Sequence, residues 1–66
     1  MKLVINGEPR EVQDGATVSE LLRELGIERD RVAVEVNQAV VPKARHPEHR
    51  LAEGDLVEIV SFVGGG

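Results

Sequence analysis

The residues with the most distinctive chemical potential are the three glycines at the end of the sequence, Gly64, Gly65 and Gly66. They follow an apolar, strand-like run, "VEIVSFV". Glycine loses more conformational freedom on ordering than any other residue, so three in a row at a terminus favour fraying. Two interpretations are open at this point. The glycines are a disordered end or a cloning remnant, or they form a thin, flexible end whose free carboxylate another protein uses.

A second candidate for chemistry is the pair His46 and His49, spaced as "HPEH", which could bind a metal ion. Zinc normally takes three or four protein ligands, and Pro47 prevents a regular helix between the two histidines. The sequence contains no cysteine to complete a site. We therefore expect solvent-exposed loop histidines and no metal. The lack of cysteine also excludes disulfides and thiol nucleophiles, and it is compatible with a reducing compartment.

Nucleotide and nucleic-acid binding are disfavoured by composition. The segments "NGEPR" and "EGD" lack the spaced glycines and lysine of a phosphate-binding loop, so we expect this chain to bind no ATP and no other cofactor. The formal net charge is -4, and Phe62 is the only aromatic residue available for base stacking. We therefore expect no nucleic-acid partner.

Length and composition predict one small domain spanning 1–66, with a flexible glycine tail at 64–66. A chain of 66 residues buries only about 60 % of its unfolded surface, which disfavours a deep catalytic pocket. Hydrophobic residues make up 41% and charged residues 30%, as in soluble globular domains. The apolar run near the start is too short for a signal peptide or a membrane span, so we expect a cytoplasmic protein without a membrane partner.

One amphipathic helix is predicted in "TVSELLRELGI". Thr17 and Glu20 have the spacing of a capping box, and Gly26 is placed to end the helix in a left-handed conformation with Ile27 folded back. The apolar positions recur at helical spacing: Val18, Leu21, Leu22 and Leu25. The predicted helix is short and apolar on one face.

The remaining segments have the alternation of strands. A hairpin is predicted at the start, with "KLVIN" and "EVQ" as strands around a turn at Asn6 and Gly7. Asn37 and Gln38 form a second predicted turn, between "RVAVEVN", with its valines on one face, and the brief strand "AVVP". A polar loop, Lys43 to Arg50, and the turn "EGD" lead to the last strand. This order predicts an α+β domain whose single helix covers one face of a mixed sheet.

The last strand is apolar on both faces, and one helix cannot cover both. Alternation places Val57 and Ile59 on the face toward the helix, and Val60 and Phe62 on the opposite face, beside the tail. Val60 and Phe62 are therefore a candidate docking patch for a partner. The alternative is that Phe62 packs at the edge of the core. The acidic charge of the chain, including Glu58, would steer it toward basic partner surfaces.

These segments together, in this order, resemble the ThiS family of sulfur carrier proteins along the whole chain. The resemblance rests on the hairpin start, on "GATVSELLRELG", "VAVEVNQAVVPK" and "LAEGDLVEIV", and on the glycine end. It implies a ubiquitin-like β-grasp fold, with a mixed four- to five-stranded sheet and one helix packed on one face. It also implies that the first and last strands are parallel neighbours at the centre of the sheet.

The resemblance further implies that this chain is a substrate and not an enzyme. A ThiF-like adenylyltransferase would use ATP to adenylate Gly66. A persulfide sulfur donor would then displace AMP and leave a thiocarboxylate, which gives its sulfur to a ThiG-like thiazole synthase in thiamin biosynthesis. The family's minimal ending is diglycine, so Gly65 and Gly66 are the expected functional pair and Gly64 a spacer, with Gly64 and Gly65 recognised by the partner. If processing removes the last residue, Gly65 is the acceptor instead.

Two other functions stay open. One is a related β-grasp carrier that feeds molybdopterin synthesis or tRNA thiolation through the same tail chemistry. The short chain and "VNQAVVPK" favour the thiamin carrier over this reading. The other is a noncatalytic β-grasp binding module whose tail has no chemistry, and the absence of a thiocarboxylate would distinguish it.

Overall fold

The computed structural model of the chain describes residues 1–62, which contain one five-stranded mixed sheet and one α-helix. The elements in chain order are β1 (Lys2–Ile5), β2 (Glu8–Glu11), α1 (Val18–Leu25), β3 (Val32–Val36), β4 (Ala39–Val41) and β5 (Leu56–Ser61). Short 3₁₀ turns cover Arg29–Arg31 and Lys43–Arg45. The strand order is β2-β1-β5-β3-β4, with β5 parallel to β1 and antiparallel to β3. The expected parallel pairing of the first and last strands is thus confirmed.

Both predicted hairpin turns are confirmed as two-residue turns. The φ angles of Asn6 and Gly7 are +50° and +83°, and those of Asn37 and Gln38 are +52° and +72°. Positive φ at both central residues defines a type I′ turn, whose twist matches that of the flanking strands. The predicted bounds of the second strand are wrong: β2 starts at Glu8 and includes Pro9, and Val12 and Gln13 of the predicted "EVQ" lie beyond its end. Proline is tolerated there since β2 is an edge strand and its outer side needs no N–H donor.

The helix α1 begins and ends as predicted. The Glu20 N–H donates to Thr17 Oγ1 over 3.2 Å, and the Thr17 N–H donates to Glu20 Oε1 over 2.8 Å, which completes the capping box. At the other end Gly26 has a φ of 72, and the Ile27 N–H donates to the Leu22 carbonyl over 2.9 Å. This is the Schellman arrangement, which satisfies the last carbonyls of the helix.

The core lies between α1 and one face of the sheet. Val18 and Leu21 of the helix are 0% exposed, as are Leu3 of β1 and Val34 of β3, and Val57 of β5 is 1% exposed. The predicted inward face of β3 is confirmed, because its three valines are all buried. Burial of these side chains is the main force that fixes the helix on the sheet.

The prediction that both histidines are solvent-exposed is wrong for His46, which is 1% exposed. Its Nε2 lies 3.1 Å from the Val41 carbonyl, and its Nδ1 is buried without a partner among the described residues. The cause is backbone pairing with the helix start. The carbonyls of His46 and His49 accept the N–H groups of Ser19 and Val18 over 3.1 and 3.0 Å, which draws this segment against α1. His49 is half-buried.

Candidate functional site

The two faces of β5 differ in the way that alternation predicts. Val57 is buried and Ile59 half-buried against the helix side. On the other side Leu56 is 52% exposed, Val60 50% and Phe62 61%. The alternative that Phe62 packs into the core is therefore wrong. Large apolar side chains on the uncovered side of a central strand are available to a partner.

The asparagines of the two hairpin turns fix the position of β5. Asn6 Oδ1 accepts the N–H of Ile59 over 2.8 Å, and Asn6 Nδ2 donates to the carbonyl of the same residue over 3.2 Å. At the start of the strand, Asn37 Oδ1 accepts the N–H of Leu56 over 3.0 Å, and the Asn37 N–H donates to the Leu56 carbonyl over 2.7 Å. The two side-chain amides thus continue the backbone hydrogen bonding of the sheet. Sequence reasoning missed this role, although both asparagines were identified as turn residues.

The chain leaves the sheet beside the start of β3. The Phe62 N–H donates to the Arg31 carbonyl over 3.3 Å, and the Arg31 Nε pairs with Glu28 Oε1 at 2.9 Å. The predicted acceptor Gly66 and the tail residues Gly64 and Gly65 lie outside the described residues. What the structure describes of the candidate site is therefore the strand that leads to the tail and the sheet face around it.

The open face of the sheet, as we call the side away from α1, is a mixed apolar and acidic surface. Cross-strand pairing sets Ala33 opposite Val60, Glu35 opposite both Glu58 and Val40, and Val4 opposite Leu56. Val40 is 64% exposed. Around β3, β4 and β5 the open face is formed by Val4, Ala33, Glu35, Val40, Leu56, Glu58, Val60 and, just beyond the strand, the exposed Phe62. Lys2, Pro9 and Glu11 continue the same side of the sheet across β1 and β2.

A separate groove of about 870 Å³ lies on the helix side, between the first hairpin and the end of α1. Its apolar lining includes Ile5, Leu25, Ile27 and Ile59, and it is open to solvent. Within residues 1–62, no group of three or more His, Cys, Asp or Glu side chains is placed to hold a metal ion. No helix in the same range is long and apolar enough to cross a membrane.

A five-stranded mixed sheet with a single helix across one face defines a ubiquitin-like β-grasp domain. The model of the ThiS family matches residues 3–66, and the chain belongs to that family. The crystal structure of the thiamine biosynthesis protein ThiS from Geobacter metallireducens superposes with a TM-score of 0.87. That protein is 35% identical, and the match covers 100% of both chains.

Relatives of two lengths are similar to this chain. The sulfur carrier protein ThiS of Thermus thermophilus is 40% identical over 62 residues, which cover 94% of this chain and 95% of the relative. A thiazole synthase of Paramagnetospirillum magneticum is 50% identical over 66 residues, which cover 100% of this chain and 20% of the relative. The chain thus spans about a fifth of the length of this relative and of a second thiazole synthase, from Magnetococcus marinus.

Proposed function

We propose that this chain is the sulfur carrier for thiazole formation in thiamin biosynthesis, and that Gly66 carries the sulfur as a terminal thiocarboxylate. The observation that carries the proposal is the family match, which runs through the glycine end to residue 66. Similarity to a protein named sulfur carrier protein ThiS, over 94% of this chain and 95% of that protein, supports it.

The chemistry explains why activation is needed. A carboxylate is a poor electrophile, so a ThiF-like adenylyltransferase would first join Gly66 to AMP at the expense of ATP, with release of pyrophosphate. The terminal sulfur of a persulfide donor would then form the new carbon–sulfur bond and expel AMP. A thiol that attacks the remaining sulfur–sulfur bond would release the thiocarboxylate. In this scheme the carrier is a substrate, and the adenylating enzyme binds ATP.

Glycines suit such an end because residues without a Cβ atom pass through a narrow channel and leave the reacting carbonyl unhindered. Three extended residues reach about 10 Å. An enzyme that holds Gly64 and Gly65 close to its active site must therefore also approach the end of β5. We propose that it contacts Val60 and Phe62, which are 50% and 61% exposed.

The second proposed partner is a ThiG-like thiazole synthase, which would receive the sulfur. Its support is that two relatives named thiazole synthase contain a stretch similar to the whole of this chain. Physical linkage in one protein is expected for a carrier and the enzyme that it supplies, because linkage raises their effective concentration. We further propose that these reactions take place in the cytoplasm.

The experiment is reconstitution with a ThiF-like enzyme, ATP and a persulfide donor, followed by intact mass spectrometry. The full chain should gain the mass difference between one sulfur and one oxygen. Deletion of Gly66 should abolish this gain while the thermal unfolding midpoint is unchanged. The control Glu24→Gln, on the exposed side of α1, should be thiolated like the wild type.

Two results would contradict the proposal. Equal thiolation of the shortened chain would show that Gly66 is not the required acceptor. A full chain that stays unmodified, with an enzyme shown to be active on another carrier, would favour a binding module whose tail has no chemistry.

A further inference from the structure

Two glutamates face each other at the middle of the open face. Glu35 of β3 and Glu58 of β5 are directly opposed in the antiparallel pairing of these strands. Leu56 and Val60 lie on either side of Glu58 along β5, on the same face, and Val40 lies opposite Glu35 on β4. Like charges directly opposite each other destabilise a sheet. The two opposed charges therefore do not stabilise the fold of the free chain.

The described residues supply no counter-charge to this pair. Neither carboxylate takes part in an ion pair or a side-chain hydrogen bond within residues 1–62. Lys2 is on the same sheet face, but it lies opposite Glu11, toward the other end of β1. Because Lys2 lies beside Glu11 and forms no ion pair with either of the two glutamates, we infer that a cation between Glu35 and Glu58 is supplied by another molecule.

We propose that the open face docks the adenylating enzyme through an apolar surface that carries one arginine or lysine, and that this cation enters between Glu35 and Glu58. The inference rests on the proposed function for the choice of partner. Its own support is the uncompensated negative charge of the pair, and the continuity of the pair with the tail, since Val60 is on the same face of β5 as Glu58 and is followed two residues later by the exposed Phe62.

Desolvation explains why a cation is required. An apolar partner surface without one would remove two carboxylates from water and leave both uncompensated, which is strongly unfavourable. A guanidinium group can bind two carboxylates at once through its planar set of donors. The pair would then contribute to binding specificity, because apolar surfaces that lack the cation would bind less well than the one that has it.

The test uses Glu35→Gln, Glu58→Gln and the double variant in the full chain, with Glu24→Gln as the control for loss of one charge elsewhere. Glutamine keeps the size of the side chain and removes the charge. We expect the thermal midpoint to stay unchanged or rise in the double variant, because a repulsion is removed. We expect its affinity for the adenylating enzyme, measured by calorimetric titration, to fall on the order of tenfold to a hundredfold.

The salt dependence of the affinity distinguishes a loss of charge attraction from a loss of shape complementarity in the variants. Affinity of the wild type should fall as the salt concentration rises toward about 1 M, where the Debye length is only ~3 Å. The double variant should show a clearly weaker dependence. Glu24→Gln should retain the affinity and the salt dependence of the wild type.

The outcomes distinguish this inference from the proposed function. If the wild type is adenylated and the double variant binds as tightly, the glutamate pair is not the docking determinant and the proposed function stands. If the wild type binds through the pair and is never adenylated, the proposed function is wrong and the docking face stands. Absence of any binding, loss of affinity only toward the thiazole synthase, or self-association that the double variant strengthens would each overturn the docking inference.

Discussion

The two faces of the sheet carry similar apolar residues but differ in how far those residues are exposed to solvent. On the helix side Leu3 and Val34 are 0% exposed, whereas on the open face Leu56 and Val60 are 52% and 50% exposed. Leu3 and Leu56 are the same residue type on neighbouring strands, and they lie on opposite sides of the sheet. Exposed apolar surface of this kind gives the isolated chain little stability, and it is the surface that we propose for docking.

The largest expected effect tests this contrast directly with one substitution made on both faces. Leu3→Ala should lower the free energy of unfolding by about 2 to 5 kcal/mol, because it removes a buried side chain and leaves a cavity. Leu56→Ala should cost less than about 1 kcal/mol, since half of that side chain is already in water. Chemical denaturation measures both values, and equal losses would mean that the faces do not differ in their role.

The next effect concerns affinity rather than stability. Phe62→Ser should weaken binding to the adenylating enzyme by about 2 kcal/mol or more, if Phe62 is a central contact. The unfolding midpoint should change little, because the side chain is 61% exposed. Gln13→Ser, a truncation at an exposed position away from the open face, should affect neither quantity. If the variant loses much stability while its folded fraction binds with unchanged affinity, Phe62 stabilises the fold and is not a docking residue.

A smaller loss of stability is expected from a substitution at the start of α1, the helix that covers one face of the sheet and leaves the other face open. Thr17→Ala removes the side-chain acceptor of the Glu20 N–H and should cost about 0.5 to 2 kcal/mol of stability. Ser19→Ala, two residues further along and inside the first turn of α1, is the matched control and should cost nothing, because alanine is the better helix former. Thermal unfolding of the two variants compares them, and an unchanged midpoint for Thr17→Ala would argue against the capping assignment.

The smallest effect belongs to an ion pair that lies between the two 3₁₀ turns. A hydrogen bond from Lys43 Nζ, 3.0 Å from Asp30 Oδ1, and the lysine charge lower the pKa of this exposed aspartate below 3.8. A lowered pKa means that the contribution to stability is present above pH 3.8 and is lost as the pH falls through the folded-state pKa.

Asp30→Asn should therefore differ slightly from the wild type at neutral pH, and the difference should vanish in acid. Lys43→Gln, which breaks the same pair from the other side, should behave alike. Unfolding midpoints measured over a series of pH values, from neutral to strongly acid, test this, because the difference should shrink progressively as the carboxylate is protonated in the folded state. A difference that persists in acid would point to a contact other than the charge. Small effects here would confirm that surface charge contributes little to this fold.

Local structure was predictable where short-range physics decides it. The capping box, the helix-ending Gly26 and both two-residue turns were read from neighbouring residues, and the structure confirms them. The inward valines of β3 and the two faces of β5 followed from alternation alone. The strand order could not be predicted from alternation, because pairing between distant segments leaves no local signal. The expected central position of β5 came from the resemblance to the family.

The missed features depend on contacts between distant parts of the chain. His46 is in a polar, proline-containing segment, and only the hydrogen bonds of that segment to the first turn of α1 explain why it is buried. The opposition of Glu35 and Glu58 depends on the register of β3 against β5, which no pattern within either strand determines. Of the candidate site, Val60 and Phe62 were placed correctly on the open face, and their role in docking stays a prediction.

The position of β5 has a consequence for biosynthesis. Among the described residues it is the last strand to leave the ribosome, yet it fills the gap between β1 and β3. Until it emerges, the growing chain can form two hairpins and a helix but no continuous sheet, so the long-range pairing delays folding of this domain until β5 has been synthesised. The same strand bears Val60 and leads to Phe62. An incomplete or unfolded chain therefore lacks the surface proposed for docking, so that a partner recognising this surface would select only molecules that have completed their fold.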